Sequence, residues 1–174
     1  MVPIPKRMQH LPIDDKWKLP IPWFVATVDG KRHFPTADGP KWHQAIAHNK
    51  CWVCGNVIGD DELLAFVIGP MCGINRTSAE PPCHLQCATY SAQACPFLSR
   101  PKMKRIDDNL NETNCPGVPI ARNPGCCGVW VTNSYKVFNS GNGPLIEIGE
   151  PRQVQWWCEG RPATRAEVQH SIDT

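Results

Sequence analysis

The stretch Cys51-Trp-Val-Cys54-Gly55, followed after a spacer by His84-Leu-Gln-Cys87, decides the fold of this chain. Each pair places two soft ligands three positions apart, so both side chains can reach one ion from a tight turn or from one helical turn. Thiolates and an imidazole in a set of four are the ligands that a structural zinc ion prefers. The sequence therefore predicts one structural zinc site, built from Cys51, Cys54, His84 and Cys87.

Two questions about cysteine ligands stay open at this point. Cys83 adjoins His84 and lies four positions before Cys87, so it is an alternative fourth ligand. A second group of cysteines lacks any Cys-x-x-Cys unit, and buried thiols are the simpler interpretation of it than a second zinc site. Its members are Cys115, Cys126, Cys127 and Cys158.

Length and composition set the class of protein. A chain of 174 residues suits one domain with a modest core, and its 18 prolines favour irregular loops over long helices. The N-terminus has no apolar segment of signal-peptide length, and no apolar run reaches membrane-spanning length. We therefore expect a cytoplasmic protein without membrane contact, in which most of the ten cysteines are reduced.

Four segments differ in composition. Residues 1–22 are rich in proline and predict an extended arm, and residues 23–99 contain the zinc knuckle. Residues 100–127 predict an irregular connection. Residues 128–174 predict C-terminal strands and a final helix, packed with 23–99 as one domain.

Local patterns predict an α+β fold, with a short-stranded antiparallel sheet and a few short helices around a treble-clef-like zinc knuckle. Asp29-Gly30 is a hairpin turn signal, and Thr164-Arg-Ala-Glu167 has the spacing of a capping box. The predicted helices are 40–49 capped by Asp38, 83–95 ended by Pro96, and one beginning at Thr164. The predicted strands are 23–28, 31–34, 62–69, 128–132, 135–138, 145–148 and 153–158.

Six motifs together resemble a group of bacterial and phage-encoded zinc-knuckle proteins of the treble-clef or LIM-like class. The resemblance runs through Cys51–Gly55, Ala65–Cys72, Asn75-Arg76, Glu80-Pro-Pro, Ala94–Leu98 and Trp156–Arg165. It implies a prokaryotic or viral origin and a protein that is not secreted. It implies no particular activity.

The histidines and cysteines do not form a recognised catalytic set. A nucleobase deaminase would need His-x-Glu before Pro-Cys-x-x-Cys, and here the order is reversed. An HNH-like metal-dependent nuclease stays an alternative because His48-Asn49 precedes the knuckle. Residues 55–82, where such an enzyme would carry its catalytic histidine, contain none. The sequence thus favours binding over catalysis.

Basic and aromatic side chains form a candidate interaction surface. A protein partner is slightly favoured. If the chain is phage-encoded, this partner would be a host factor that the chain modulates. Nucleic-acid binding is the alternative, because tryptophan can stack on bases. The residues of this surface are Arg76, Arg100, Lys102, Lys104, Arg105, Trp156, Trp157, Arg161 and Arg165.

Overall fold

The computed structural model describes residues 1–100 and 125–174, and over these residues it confirms the predicted α+β fold. The α-helices are α1 Gly39–His48, α2 Pro70–Asn75, α3 Leu85–Ala94, α4 Pro96–Ser99 and α5 Arg165–Asp173. The strands are β1 Val25–Val28, β2 Lys31–Ala37, β3 Leu64–Ile68, β4 Thr77–Ser78, β5 Cys126–Thr132, β6 Tyr135–Asn139, β7 Pro144–Ile148, β8 Pro151–Cys158 and β9 Arg161–Pro162. None of these helices has both the length and the apolar character that a membrane span needs.

The strands of the described segments form three antiparallel sheets. β1 and β2 make a hairpin, β3, β5, β8 and β9 lie side by side in that order, and β4, β7 and β6 make the third sheet. Asp29 and Gly30 both have positive φ, as the predicted hairpin turn requires. The four-stranded sheet carries the centre of the core.

Strand β5 lies in the middle of that sheet, and all seven of its residues are buried. Such a strand reads as a continuous apolar run because neighbouring strands and helices cover both of its faces. Helices α2, α3 and α5 all pack against it. The ring of Trp156 packs directly on Gly128 of β5. A Cβ atom at position 128 would stand only 2.7 Å from that ring.

Helix α1 forms as predicted. The carboxylate of Asp38 accepts a hydrogen bond from the Lys41 amide, and Asn49 ends the helix in the left-handed region at φ 50°. The Asn49 side chain then donates to the Ile58 carbonyl oxygen at 2.8 Å. The end of α1 is thereby tied to the segment that follows the knuckle.

The predicted start of the second long helix is wrong. Helix α3 begins at Leu85 rather than at Cys83, because Cys83 is extended and pairs with Ala65 through two backbone hydrogen bonds of 2.7 and 2.9 Å. Pro96 does not merely end this helix, since it is also the first residue of α4. Strand β5 begins at Cys126, inside the predicted irregular connection, and residues 101–124 of that connection lie outside the described segments.

The N-terminal segment contributes to the core. Met8, in a 3-10 turn over Lys6–Met8, is 1% exposed, and Leu11 is 7% exposed. Both pack in the cluster that contains the Cys51–Cys54 turn. This packing brings Arg7 and His10 close to the candidate site.

Candidate metal centre

A tight turn presents the first ligand pair. The Cys51 amide donates to the Asn56 carbonyl oxygen, and the Gly55 amide donates to the Cys51 carbonyl oxygen, both at 2.8 Å. Gly55 has φ +78°, a conformation that glycine adopts without strain. The Cys54 amide points back at the Cys51 sulfur at 3.5 Å. The turn therefore holds both sulfur atoms on its inner side.

The second ligand pair lies at the N-terminus of α3. His84 is the N-cap residue, with extended backbone, and Cys87 lies in the first turn of the helix. The pairing of Cys83 with Ala65 fixes the approach to the helix, and the His84 amide donates to the Cys51 sulfur at 3.4 Å. The backbone alone thus aims the second pair at the first.

Cys51, Cys54, His84 and Cys87 converge on one point. One ligand atom from each lies within 4.8 Å of the others, and all four residues are buried. Sulfurs bound tetrahedrally at about 2.3 Å from one ion would stand about 3.8 Å apart, so the cluster needs only a small contraction to hold an ion. Among the described residues this is the group able to hold a metal, and Cys83 is not part of it.

His84 is oriented by groups beyond the cysteines. Its Nδ1 lies 3.4 Å from the Cys54 sulfur, whereas its Nε2 lies 3.2 Å from the Val57 carbonyl oxygen and 3.6 Å from Glu62 Oε2. Glu62 in turn accepts from the Gly59 amide and pairs with Arg7. A histidine that donates from one ring nitrogen to such acceptors is fixed with the other nitrogen as the metal ligand.

The charges of the cluster are those of a site suited to a cation. Burial alone would lower the pKa of His84, but hydrogen bonds to Cys51 and Cys54 outweigh burial and raise the pKa to about 10. Hydrogen bonds to Cys51 and Cys54 raise the pKa of Cys87 far above its usual value. Burial opposes ionisation of Cys51, yet hydrogen bonds from its neighbours, Cys54 first, lower its pKa. The protons held here are those that a bound cation would replace.

Aromatic rings pack behind the turn. Trp52 is 2% exposed, and Phe24 stacks on it with ring centroids 5.0 Å apart. The ring of Trp23 meets Trp52 edge-on and covers Gly55 so closely that an added Cβ would stand 2.6 Å from it. The same Trp23 ring carries the ammonium groups of Lys41 and Lys50 at 5.3 and 5.5 Å.

The structure separates the residues of the candidate interaction surface. The prediction that Trp157 is part of this surface is wrong, since its side chain is only 6% exposed. Alternation along β8 turns Trp157 inward. Trp156 is half-buried, and Arg76 stacks on Trp130 at 4.8 Å. Arg100 stacks on Trp17, Arg161 pairs with Glu167, and Arg165 is exposed. Lys102, Lys104 and Arg105 lie outside the described residues.

The second group of cysteines does not gather into a metal site within residues 125–174. Cys126 and Cys158 lie directly opposite each other on β5 and β8, and Cys127 is opposite Trp157. Cys115 lies outside the described segments. The described cysteines of this group are free thiols.

His48 and Asn49 have separate surroundings. His48 is exposed in the last turn of α1, and the amide of Asn49 is engaged with the Ile58 carbonyl oxygen. Asn49 therefore has a structural contact that accounts for its place before the knuckle.

Sequence reasoning missed Glu62, Arg7 and His10. Glu62 contacts His84, Arg7 pairs with Glu62, and His10 Nε2 lies 2.9 Å from the Cys54 carbonyl oxygen. No spacing rule connects residue 7 with residue 62 or residue 84, so the sequence carried no signal for these contacts. They arise only when the N-terminal segment packs on the knuckle.

Comparison of the chain with protein-family models, with curated proteins and with solved structures finds no match. The resemblance to bacterial and phage zinc-knuckle proteins therefore stays a prediction.

Proposed function

We propose that this chain is an intracellular protein whose fold is held by one structural zinc ion, in a treble-clef-like arrangement, and which acts by binding another macromolecule. A protein partner is favoured. The main support for this proposal is the convergence of four buried ligands on one point. Four protein ligands would close the metal site, so function is expected at the protein surface.

Three features support zinc rather than another ion. A set of three cysteines and one histidine is typical of structural zinc sites, whereas calcium and magnesium take oxygen ligands. Four protein ligands fill a tetrahedral shell, which leaves no position for a reactive water. The two ligand pairs come from a turn and from a helix start that lie far apart in the sequence, so one ion would join two separate segments.

Reduced cysteines support the compartment. Cys126, Cys127 and Cys158 are thiols outside the metal centre, as expected where glutathione keeps thiols reduced. The resemblance to phage-encoded proteins makes a bacterial host factor the first class of partner to test.

Metal analysis of the purified protein tests the zinc site. One zinc per chain is expected, and Cys51→Ser or Cys87→Ser is expected to lose it. Cys72→Ser is the matched control, because this half-buried cysteine lies outside the ligand group. A wild-type protein that folds with full helix content and no bound metal would contradict the proposal.

Helix α2 offers the surface that best fits a protein partner. Its Met71 and Ile74, three positions apart and therefore on one face, are 54% and 60% exposed. Arg76 follows them, and Trp156 lies behind the helix, with Gly73 between. Methionine, arginine and tryptophan are enriched in protein interfaces. We call Met71, Ile74, Arg76 and Trp156 the α2 surface.

A comparison of binding variants tests the α2 surface. Candidate host proteins would be retained on immobilised wild-type chain and on the control Val137→Glu, which changes a 43% exposed residue on β6. Met71→Glu with Ile74→Glu is expected to weaken retention at least tenfold. Equal retention by all three proteins would exclude this surface.

Trp23 supports the second candidate, a nucleic-acid partner. Two lysine ammonium groups stand over its ring beside the knuckle, an arrangement that concentrates positive charge able to attract phosphate. Anisotropy of labelled single-stranded and duplex oligonucleotides would then rise with protein concentration and fall steeply with salt. Lys41→Gln with Lys50→Gln would reduce the signal, and Lys31→Gln on the β1–β2 hairpin is the control. No binding at low salt would remove this candidate.

A cleavage assay covers the nuclease alternative. Plasmid and RNA incubated with the zinc-loaded protein and added divalent metal are expected to remain intact. Metal-dependent cutting that His48→Ala abolishes would overturn the proposal of a protein that acts through binding alone.

A further inference from the structure

Cys126 and Cys158 are a cysteine pair that the metal centre does not use. They are directly opposed in the antiparallel register of β5 and β8. Opposed residues in such a ladder have Cα atoms about 4.5 Å apart at a non-hydrogen-bonded position and about 5.5 Å apart at a hydrogen-bonded one. Both values lie within the range of about 4.4–6.8 Å that a disulfide spans. The register alone therefore meets the distance requirement for a bond.

Backbone hydrogen bonding identifies which kind of position the pair occupies. Cys158 and Arg161 flank the two-residue turn Glu159-Gly160, whose residues both have positive φ, so the backbone groups of Cys158 face β9. The Cys126 amide donates to the Ser171 hydroxyl at 3.3 Å instead of crossing to β8. The pair is therefore non-hydrogen-bonded, the position at which opposed side chains come closest.

The two thiols already interact with each other. The Cys126 thiol hydrogen-bonds to Cys158, and the Glu167 carboxylate opposes the thiolate form of both more than the Arg161 guanidinium favours it. Burial raises the pKa of Cys126 to about 12. Burial also raises the pKa of Cys158, but the hydrogen bond from Cys126 partly offsets this effect. Cys158 is half-buried and Cys126 is buried, so Cys158 is the thiol that a small reagent meets first.

We propose that Cys126 and Cys158 form a reversible intrachain disulfide when the protein meets a low-molecular-weight disulfide such as oxidised glutathione. The Cys158 thiolate attacks one sulfur of oxidised glutathione, which forms a mixed disulfide and releases one glutathione thiolate. The Cys126 thiolate then attacks the Cys158 sulfur, which forms the intrachain bond and releases the second glutathione. Two protein thiols are oxidised, one glutathione disulfide is reduced, and both thiol protons end on the two glutathione molecules.

The location of the bond gives it a structural effect. It would join the first residue of β5 to the last residue of β8, directly before the turn into β9 and α5. Helix α5 packs against both β5 and α2, whose outer face is part of the α2 surface. Oxidation would thus fix the support of that surface without touching the metal ligands.

The experiment treats the zinc-loaded full chain with oxidised glutathione and follows intact mass, zinc content and the peptide map after alkylation of free thiols. The wild-type chain is expected to lose the mass of two hydrogens, to keep its zinc, and to yield a peptide pair linked through Cys126 and Cys158 that dithiothreitol separates. Cys126→Ser is expected to stop at one glutathione on Cys158. Cys158→Ser is expected to remain unmodified at Cys126, and Cys72→Ser is the control that behaves as wild type.

Three outcomes would overturn the proposal: a wild-type chain that stays reduced, one that keeps glutathione on Cys158, or one that links Cys126 or Cys158 to another cysteine. Oxidation that occurs only together with zinc release would also overturn it, since the thiols consumed would then be metal ligands. The wild-type peptide map distinguishes these outcomes by itself, so a variant that fails to fold does not weaken the test.

Discussion

Replacing Glu62 by glutamine tests whether the outer contacts of His84 tune the metal centre. Glu62 Oε2 lies 3.6 Å from His84 Nε2, and the glutamate also accepts from the Gly59 amide. Glutamine keeps the shape and can still accept from Gly59, but it removes the negative charge. The substitution therefore isolates the electrostatic contribution of Glu62 to the histidine ligand.

The expected loss is about tenfold in zinc affinity, or about 1.4 kcal/mol. Partners of this kind contribute about 10- to 100-fold, and the lower end applies for two reasons. The Val57 carbonyl oxygen remains as an acceptor 3.2 Å from Nε2, and the Glu62 side chain is 32% exposed, so solvent screens its charge.

Competition with a chromophoric chelator measures this affinity. Asp60→Asn is the matched control, because Asp60 is an exposed carboxylate two positions away in the same loop. We expect the control to bind zinc as the wild type does. Equal zinc affinity in Glu62→Gln and wild type, with both proteins folded, would refute the argument that the Glu62 charge supports His84.

Three further predictions follow from the geometry. Cys83→Ser is expected to keep one zinc per chain by metal analysis, since Cys83 lies outside the ligand group. Loss of zinc from this variant would show that Cys83 is a ligand. Gly55→Ala is expected to lower the free energy of unfolding by about 2–3 kcal/mol in urea titrations, because it adds a contact 2.6 Å from the Trp23 ring to the strain of a positive φ. Gly30→Ala, at a position with positive φ and open space, should lower the free energy of unfolding only by the cost of the backbone strain. Equal losses of stability in the two variants would contradict the contact argument. The hydrogen bond from Arg161 lowers the pKa of Glu167 from 4.5 to about 2. The contribution of this pair to stability is therefore complete above pH 4.5 and is lost as the pH falls towards 2. Thermal melts of Glu167→Gln should not show that acid loss, and a variant with the same acid profile as the wild type would refute the argument.

Local signals predicted the elements whose stabilising contacts are local. Helix α1 has its cap at Asp38, and α5 has the reciprocal hydrogen bonds of a capping box between Thr164 and Glu167. The predicted strands 128–132, 135–138, 145–148 and 153–158 correspond to β5, β6, β7 and β8, because glycine or asparagine stands in each turn between them; the two-residue β9 was not predicted. These elements required no knowledge of distant partners.

Distant partners decided what the sequence could not show. Pro81-Pro82 favours a helix start, yet the Pro82 carbonyl oxygen accepts from the Trp52 amide and Cys83 pairs with Ala65, so the chain stays extended until His84. Alternation along a strand turns the adjacent Trp156 and Trp157 to opposite faces, and no local signal says which of them is buried. Gly128 determines the packing of Trp156, because only a residue without Cβ leaves room for that ring.

The pairing of Cys83 with Ala65 has a consequence for the solubility of the chain. Strand β3 is the outer strand of the four-stranded sheet, and its sequence Leu-Ala-Phe-Val-Ile carries no charge and no proline. An uncovered edge of that composition is a template for pairing with other chains. The segment that ends in the ligand His84 covers this edge at Ala65. The same pairing that positions His84 for the metal therefore also protects the edge of the core sheet from pairing with other chains.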